Sequence, residues 1–393
     1  MYNSTLHLFL LIFWVLIEWN EAANCTKFVD CKSCTHGGDI LLPCVWCTHR
    51  HRCGNALEMA GSTEKTRITL AYDCPVPPAA KHLYTDYFAR TRALPFIAAT
   101  NSRDMKELTE CLKTHFYNIR ILEQIKVPCD STLNECMVYV AYNPIDSAIV
   151  IAFRSTNSAA QLLVEVVDFM LQTQNDFQPV GGSVISYFYH SFFALWNGGL
   201  ENRLRSAIQQ FPKSEVWVCF LVVHDYNLIF HVFGHSLGGS LASLAAAWIS
   251  RMGIVHRDQL KFVSFGQPRT GNTEFARAFD SLVPFKYRVI HKHDSVTQMP
   301  VRLPFTTFTF IHHRYEVYYK NDMEPKSKCT ICLRAEDPNC SLGTSDPPDP
   351  LIHRSYFNVT LSEWPKSSCR LPADLYELYR GSKPWTRLLK GPV

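Results

Sequence analysis

One stretch, residues 228–248, constrains the fold of this 393-residue chain more than any other. In it an apolar, partly β-branched run leads into the letters "GHSLG" around Ser236, and the small-residue helical pattern "LGGSLASLAAAW" follows. A strand, a sharp turn and a helix in this order are the arrangement of a nucleophile elbow. In an elbow the turn exposes a serine hydroxyl, and glycines on both sides of the serine let the strand and the helix approach closely. A buried glycine-rich turn without chemistry is the structural alternative, so the surrounding sequence has to decide.

The order of elements around this turn predicts the fold class. Helical patterns and short apolar runs alternate along the chain, with helices at 84–99 and 105–115 and strands at 137–142, 148–153, 261–265 and 287–291. Such alternation predicts an α/β fold whose mostly parallel sheet is covered on both faces. The functional groups of a sheet of this kind gather at the carboxyl ends of its strands.

The N-terminal residues predict export. Residues 8–17 are apolar but too few to span a bilayer, and the small residues Ala22 and Ala23 follow, so residues 1–23 are interpreted as a cleaved secretory signal. A buried N-terminal helix is the alternative. No later apolar run reaches membrane-spanning length, and a formal charge of +4 without a basic run gives no indication of nucleic-acid binding.

Cysteine usage predicts a small N-terminal module. Seven of the fifteen cysteines lie between Cys25 and Cys74, which indicates a cysteine-rich module at 24–78 and a main domain at 79–393 with a cysteine-containing C-terminal segment. Three CxxC pairs also permit zinc, but export favours disulfides, and no metal or cofactor is expected. Sequons at Asn24, Asn339 and Asn358 fit the secretory route.

Five motifs in register carry a family resemblance. The segments "FRST", "GHSLGGSLASLAA", "FVSFGQPRTGN", "RVIHKHDSV" and "HHRYEVYY" occur in this order, and together they resemble the class 3 lipases, a fungal-type family with secreted nematode members. The resemblance covers roughly residues 100–360 and implies an α/β-hydrolase fold. The spacing around "CKSC" and "CVWC" is similar to that of the small plexin-semaphorin-integrin type of module.

Carried over by position, the resemblance implies a role for each residue of the site. Ser236 is the expected nucleophile, Asp294 the expected acid, and Thr156 and Leu237 the expected oxyanion-hole residues. Preorganised N–H groups at the last two positions would stabilise the negative oxygen that develops when an ester carbonyl is attacked. The chain differs from the family at Ser155, where the family usually has glycine.

Three histidines are candidates for the catalytic base: His312, His313 and His353. The family pattern HxxYF favours His353, because Tyr356 and Phe357 follow it at the right spacing. The separations 294−236 = 58 and 353−294 = 59 also resemble the even spacing of the family. One departure is Ile352, since fungal relatives often carry an acid just before this histidine.

A lid is predicted at residues 159–172. Polar residues at helical spacing leave a broad apolar face there, and opening such a face would expose surface that only a lipid interface covers. An ordinary core-facing helix explains the periodicity equally well.

The sequence therefore predicts a secreted serine ester hydrolase, a lipase that cleaves acylglycerols or related lipids through an acyl-enzyme. A soluble carboxylesterase is the alternative within enzymes. A secreted, non-catalytic lipid-binding relative is the alternative outside them.

Residues 219–233 do not fit the family pattern. The family joins one short strand, resembling "SEVWV", almost directly to "GHSLGG", whereas here two apolar runs, 216–223 and 228–233, compete for one strand position. A hairpin would reverse the chain and deliver Ser236 to the wrong edge of the sheet. Removing Cys219 would also leave 15−1 = 14 cysteines, an even number for pairing. We therefore hypothesise that residues 219–233 are largely a retained intron or a misplaced exon boundary.

Transcript sequencing tests this hypothesis. We expect the dominant transcript to lack the codons for most of residues 219–233, because a second apolar run has no place in a buried sheet. Dominant transcripts that contain the segment, together with an active secreted product, would refute it. A dominant but inactive form with the segment would instead favour the non-catalytic alternative.

Overall fold

Two compact units make up the computed structural model, which describes residues 24–38, 43–55, 58–59, 62, 66–129, 135–155, 173–211, 228–301 and 310–371. Unit 1 comprises the chain up to Pro77 together with Leu333–Gly343, and unit 2 comprises Pro78–Cys332 and the chain from Thr344 onward. The predicted signal at 1–23 and the predicted lid at 159–172 lie outside the described residues. In the part of the chain that is described, no helix is both long and apolar enough to cross a membrane.

Unit 1 is built on a three-stranded antiparallel sheet. A short helix, α1 (Cys31–Thr35), begins after Asp30, whose carboxylate accepts hydrogen bonds from two N–H groups of the first turn. The strands are paired in the order β2-β1-β3 and comprise β1 (Cys44–Cys47), β2 (Arg52–Asn55) and β3 (Arg67–Ile68). The core beneath the sheet consists mainly of half-cystines around Trp46 and Ile68.

Disulfides take the place of a large core in unit 1. The pairs are Cys25–Cys44, Cys31–Cys74 and Cys34–Cys53. The prediction of disulfides is therefore confirmed, and a sulfur held in a disulfide is not the thiolate that zinc requires. The parity argument gains no support from the structure, because Cys47 and Cys329 are both free among the described cysteines, so an even number of cysteines does not by itself mean complete pairing.

One segment lies in a different unit from the one that the sequence suggested. The sequence analysis assigned Leu333–Gly343 to the main domain, but these residues fold with unit 1. The backbone N–H of Val76 donates to the carbonyl of Leu333, and the Arg334 guanidinium donates to the carbonyl of Arg67. Such long-range backbone pairing leaves no local periodicity in the sequence from which it could be predicted.

Unit 2 contains an eight-stranded sheet in its described part. Its strands are β4 (Arg120–Pro128), β5 (Glu135–Asn143), β6 (Ala148–Phe153), β9 (Ile229–His235), β10 (Leu260–Phe265), β12 (Phe285–His291), β14 (Glu316–Tyr319) and β15 (Thr330–Cys332). They pair in the order β15-β14-β12-β10-β9-β6-β5-β4. Four of these seven pairings are parallel, and the antiparallel ones lie toward the two edges.

The described part of unit 2 also contains β7 (Gln174–Asp176), β8 (Ser183–Ile185), β11 (Gly271–Asn272), β13 (Phe310–Ile311), β16 (Ser355–Tyr356) and β17 (Val359–Thr360). The first four form a second sheet in the order β13-β11-β8-β7, and the last two form a hairpin.

Helices cover both faces of the large sheet, as the sequence predicts. They are α2 (Asp86–Phe88), α3 (Leu94–Ala99), α4 (Met105–Lys113), α5 (Ser186–Leu195), α6 (Glu201–Gln210), α7 (Leu237–Arg251) and α8 (Thr273–Leu282). Alternate residues of β9 face opposite layers: Val232 joins the core formed with α5 and α7, whereas Phe233 packs on Phe88 and Phe96 of the other layer. The alanines of α7 let this helix lie close to the sheet.

The second of the two competing apolar runs supplies the central strand. β9 pairs in parallel with β6 and β10, with Val232 opposite both Ile151 and Phe262. The first run, residues 216–223, lies outside the described residues.

His231, on β9, lies within the segment 219–233. Its side chain is buried, neither ring nitrogen has a hydrogen-bond partner among the described residues, and burial lowers its pKa to about 3. A buried polar group without a partner is destabilising. If residues 219–233 were absent, "SEVWV" would precede Gly234 directly, and Val216 would occupy the position of His231. The hypothesis of a shorter expressed protein thus predicts an apolar residue at a position where an imidazole is unfavourable.

Two disulfides of unit 2 should differ in their contribution to stability. Cys111–Cys369 closes a separation of 258 residues and Cys129–Cys136 one of 7. The chain-entropy model therefore expects that serine at both cysteine positions lowers the unfolding free energy by about 5.5 kcal/mol for the first pair and about 2.5 kcal/mol for the second. Denaturant unfolding of the two double variants measures this difference. A larger loss from the short loop would contradict the expectation.

Candidate active site

Ser236 occupies the turn between β9 and α7. Its backbone has φ 55° and ψ −128°, a conformation that residues other than glycine rarely adopt. The Ser236 N–H donates to the carbonyl of Phe265 at the end of β10 (2.9 Å), and the Ser236 carbonyl accepts from the Gly239 N–H of α7 (2.9 Å). The strained turn is thus held on both sides, and it puts Ser236 at the carboxyl end of the central strand.

Two glycines make this turn possible. A Cβ at Gly234 would lie 2.0 Å from the carbonyl oxygen of Gly238, and a Cβ at Gly238 would lie 2.3 Å from the carbonyl oxygen of Phe153. Both contacts are with backbone atoms, which cannot move aside as a flexible side chain could. The motif GxSxG therefore reflects the close approach of β9, α7 and the end of β6.

Asp294 and His353 meet next to this turn, where the His353 ring lies 4.4 Å from the ring of His235, the residue before Ser236. Asp294 follows β12 and caps a short 3₁₀ turn, where its Oδ1 accepts from the Val296 N–H (3.0 Å). His353 Nδ1 lies 3.0 Å from Asp294 Oδ1 and 2.8 Å from Oδ2. Both side chains are buried, with 0% and 2% of their surface exposed for Asp294 and His353 respectively. The two residues, 59 positions apart in the chain, form a buried acid–imidazole pair.

This pairing assigns the tautomer of His353. An ionised carboxylate only accepts, so Nδ1 carries the proton and, in the neutral ring, Nε2 is left with a lone pair. Both Nε2 of His353 and Oγ of Ser236 are buried and have no hydrogen-bond partner among the described residues. An unprotonated imidazole nitrogen and a serine hydroxyl, both unpartnered, are the groups that general-base activation of a nucleophile requires.

The other two candidate histidines bond elsewhere. His312 Nε2 lies 2.8 Å from the carbonyl oxygen of Thr297, and His313 Nε2 lies 3.4 Å from Gln267 Oε1. Burial lowers the pKa of His313 well below its ordinary value. The structure therefore brings Asp294 together with His353, the histidine that the HxxYF pattern favours.

Four further residues support the pair of Asp294 and His353. The Tyr356 hydroxyl donates to Asp294 Oδ2 (2.7 Å), and burial, together with this carboxylate, raises the pKa of Tyr356 so that it stays a donor. Gly266, at φ 57°, leaves room for the His353 ring, since a Cβ there would lie 2.8 Å from it. His235 Nε2 and His291 Nδ1 each lie 2.8 Å from a backbone oxygen, that of His353 and that of Ser355 respectively. In the sequence, the HxxYF pattern pointed to Tyr356, but no periodicity pointed to the other three.

Of the two expected oxyanion-hole residues, Leu237 lies within the described residues and Thr156 does not. Leu237 is the first residue of α7, where backbone N–H groups have no partner within the helix and the helix dipole favours negative charge. The strand that leads to Thr156 ends at Phe153, against Gly238 of the turn.

One cluster of potential metal ligands is present in the described part of unit 1. The sulfur atoms of Cys25, Cys44 and Cys53 lie within 4.8 Å of one another. All three belong to disulfides, so this cluster is a product of dense cross-linking rather than a set of thiolates.

Comparison with known proteins places this geometry in context. A family model described as Lipase (class 3) matches residues 150–303. A lipase from Caenorhabditis elegans is 30% identical over 312 residues, which cover 72% of this chain and 83% of that protein. A protein from Gibberella zeae named secreted mono- and diacylglycerol lipase 2 is 26% identical over 227 residues, which cover about half of each chain (51%).

The fold is also similar to that of a solved structure. The crystal structure of a lipase from Rhizopus microsporus var. chinensis matches with a TM-score of 0.55 and 24% identity, over 73% of this chain and 94% of that one. With the parallel sheet described above, this similarity confirms the predicted α/β-hydrolase fold.

Proposed function

The chain belongs to the class 3 lipase family, and from that premise we propose that it is a secreted serine lipase that cleaves acylglycerols through an acyl-enzyme on Ser236. The observation that carries the proposal is the buried bond between Asp294 and His353 beside a serine in a strained turn. The three residues follow the chain order serine, acid, histidine that is typical of α/β-hydrolases.

The proposed reaction proceeds in two halves. The Ser236 hydroxyl adds to the ester carbonyl while His353 Nε2 takes the hydroxyl proton. The bond to the leaving alcohol then breaks, His353 returns the proton to that alcohol, and the acyl group stays on Ser236. In the second half, water gives a proton to His353 and attacks the acyl carbonyl. The bond between the acyl group and Ser236 then breaks, His353 returns the proton to the Ser236 oxygen, and a fatty acid is released.

Charge develops at two points of this reaction, and the proposal assigns a group to each. Asp294 stabilises the imidazolium that forms on His353, while Tyr356 and the Val296 N–H keep the carboxylate oriented. The Leu237 N–H and, by family resemblance, Thr156 stabilise the negative carbonyl oxygen. Loss of one oxyanion donor typically lowers the rate about a hundredfold or more.

The lipid substrate class rests on the family and its named relatives. Leu351, two residues before His353, is apolar and has 66% of its surface exposed, which is compatible with contact to a lipid surface. The relative named as a mono- and diacylglycerol lipase supports the same substrate class.

Secretion is the second part of the proposal. Disulfides persist in oxidising compartments, and both units contain them. The apolar N-terminal segment and the relative named as a secreted lipase support the same route. Asn358 lies exposed at the tip of the β16–β17 hairpin, where an N-glycan could extend into solvent.

Substitution of the proposed triad should abolish catalysis. We expect Ser236→Ala to remove both covalent labelling by a fluorophosphonate and ester turnover, and His353→Ala to lower turnover to a similar degree, about 10⁴-fold or more, because triad members act as a unit. His313→Ala, in contrast, should keep labelling. Circular dichroism and the secreted yield serve as folding controls. Equal activity in Ser236→Ala would rule out the mechanism.

The physical state of the substrate separates a lipase from a soluble esterase. Turnover of emulsified acylglycerol should exceed turnover of a dissolved short-chain ester, and it should rise once the substrate forms an interface. A preference for dissolved esters would favour the carboxylesterase alternative, and absence of both turnover and labelling would favour the non-catalytic one.

The secretory route predicts the covalent state of the mature protein. We expect an N-terminus near Asn24, a mass that rises on reduction as disulfides open, and a mass that falls on treatment with an N-glycosidase. Asn358→Gln should remove one glycan. Stoichiometric zinc with unchanged mass on reduction would contradict the assignment of an oxidising compartment.

A further inference from the structure

We propose that His235 and His291 are positioning residues that hold the main chain on both sides of Arg354 and so fix the imidazole of His353 against Asp294. This inference rests on the proposed role of His353 as the catalytic base. It adds two residues to the site that act through His353 and do not contact the reacting atoms.

The two hydrogen bonds are similar in length and lie close together in the chain. His235 Nε2 lies 2.8 Å from the carbonyl oxygen of His353, and His291 Nδ1 lies 2.8 Å from the carbonyl oxygen of Ser355. Because a carbonyl oxygen can only accept, each imidazole must donate its N–H. The two donors come from the ends of β9 and β12, which are rigid strands of the sheet.

The segment that they hold has little regular structure of its own. His353 lies in a single 3₁₀ turn, Ile352–Arg354, and the hairpin that follows has strands of two residues each. Phe357 and Asn358 both have positive φ, at 54° and 62°, which leaves the hairpin a tight two-residue loop. Because this segment forms few backbone hydrogen bonds of its own, we expect its position to depend on hydrogen bonds from side chains of the sheet.

The surroundings of both histidines favour the neutral form. The His235 ring lies 4.4 Å from the His353 ring between centroids, so a charge on both rings at once would be repulsive. Burial lowers the pKa of His235 well below its ordinary value, and His353 lowers it further. Burial also lowers the pKa of His291, although Asp294 and Asp322 oppose this effect and Lys292 adds to it. Neutral rings with a single N–H leave His353 as the ring that takes a proton during turnover.

The different nitrogens used by the two histidines allow a crossed test. Glutamine places its amide N–H₂ where histidine has Nε2, and asparagine places it where histidine has Nδ1. His235→Gln and His291→Asn therefore keep the donor, whereas His235→Asn and His291→Gln do not. His115→Asn is the matched control, because His115 is also buried and its Nε2 bonds the backbone carbonyl of Cys369, which is not part of the site.

We expect the two variants without the donor to lower kcat about fivefold to tenfold each, with KM for an emulsified ester unchanged, as the loss of one buried hydrogen bond predicts. The two variants that keep the donor should recover most of that kcat. His115→Asn, which loses a comparable bond elsewhere, should retain the kcat of the unmodified protein. A purely structural role would instead lower the yield or melting temperature of all four site variants alike, without the crossed pattern in kcat.

Hydrogen–deuterium exchange provides a readout that does not depend on activity. Residues 351–361 should exchange faster in His235→Asn and His291→Gln than in their donor-keeping partners, because the carbonyls on either side of Arg354 lose an anchor. If the four variants show this crossed pattern of exchange but the unmodified protein shows no ester turnover or labelling, the proposed function fails and the positioning role stands. If turnover is present but neither kcat nor exchange follows the crossed pattern, the positioning role is overturned.

Discussion

The close approach of β9, α7 and the end of β6 determines the geometry of the rest of the site. At Gly234 and Gly238 the backbones approach so closely that any side chain would collide with a carbonyl oxygen, and between these glycines Ser236 is held at positive φ. Hydrogen bonding and packing in the sheet keep the turn in this strained conformation, because β9 is paired on both sides and buried under α7. The packing of many buried residues of the sheet and of α7 thus maintains the strained backbone of Ser236.

The sequence predicted those features that depend on local pattern. The alternation of helices and strands, the elbow and the identity of Ser236 all follow from periodicity and from glycines at fixed offsets. The bond between Asp294 and His353 spans 59 residues, and no periodicity in the chain encodes it, so the choice of histidine depended on family resemblance. The assignment of Leu333–Gly343 to unit 1 and the free thiols of Cys47 and Cys329 were not predicted, because pairing of distant backbone and sulfur atoms leaves no local signal.

The acid and the imidazole are supported differently from the serine. Ser236 is placed by the main chain of a strand and a helix, whereas His353 lies in a short turn that is held by side chains of its neighbours. Tyr356 bonds the carboxylate, Gly266 leaves room for the ring, and two further histidines bond the adjacent carbonyls. In the proposed role of a base, His353 would benefit from such supports, because small errors in its position would reduce the rate of proton transfer.

The Cys111–Cys369 disulfide makes the chain between these residues a covalent ring, and Ser236, Asp294 and His353 all lie inside it. Exposed loops are the usual sites of proteolytic nicking. A single cut anywhere in the ring would leave both pieces joined through the disulfide, so the serine and its base could not drift apart as separate fragments. Wherever proteases act and reductants are scarce, such a ring would keep a nicked chain covalently joined around Ser236, Asp294 and His353.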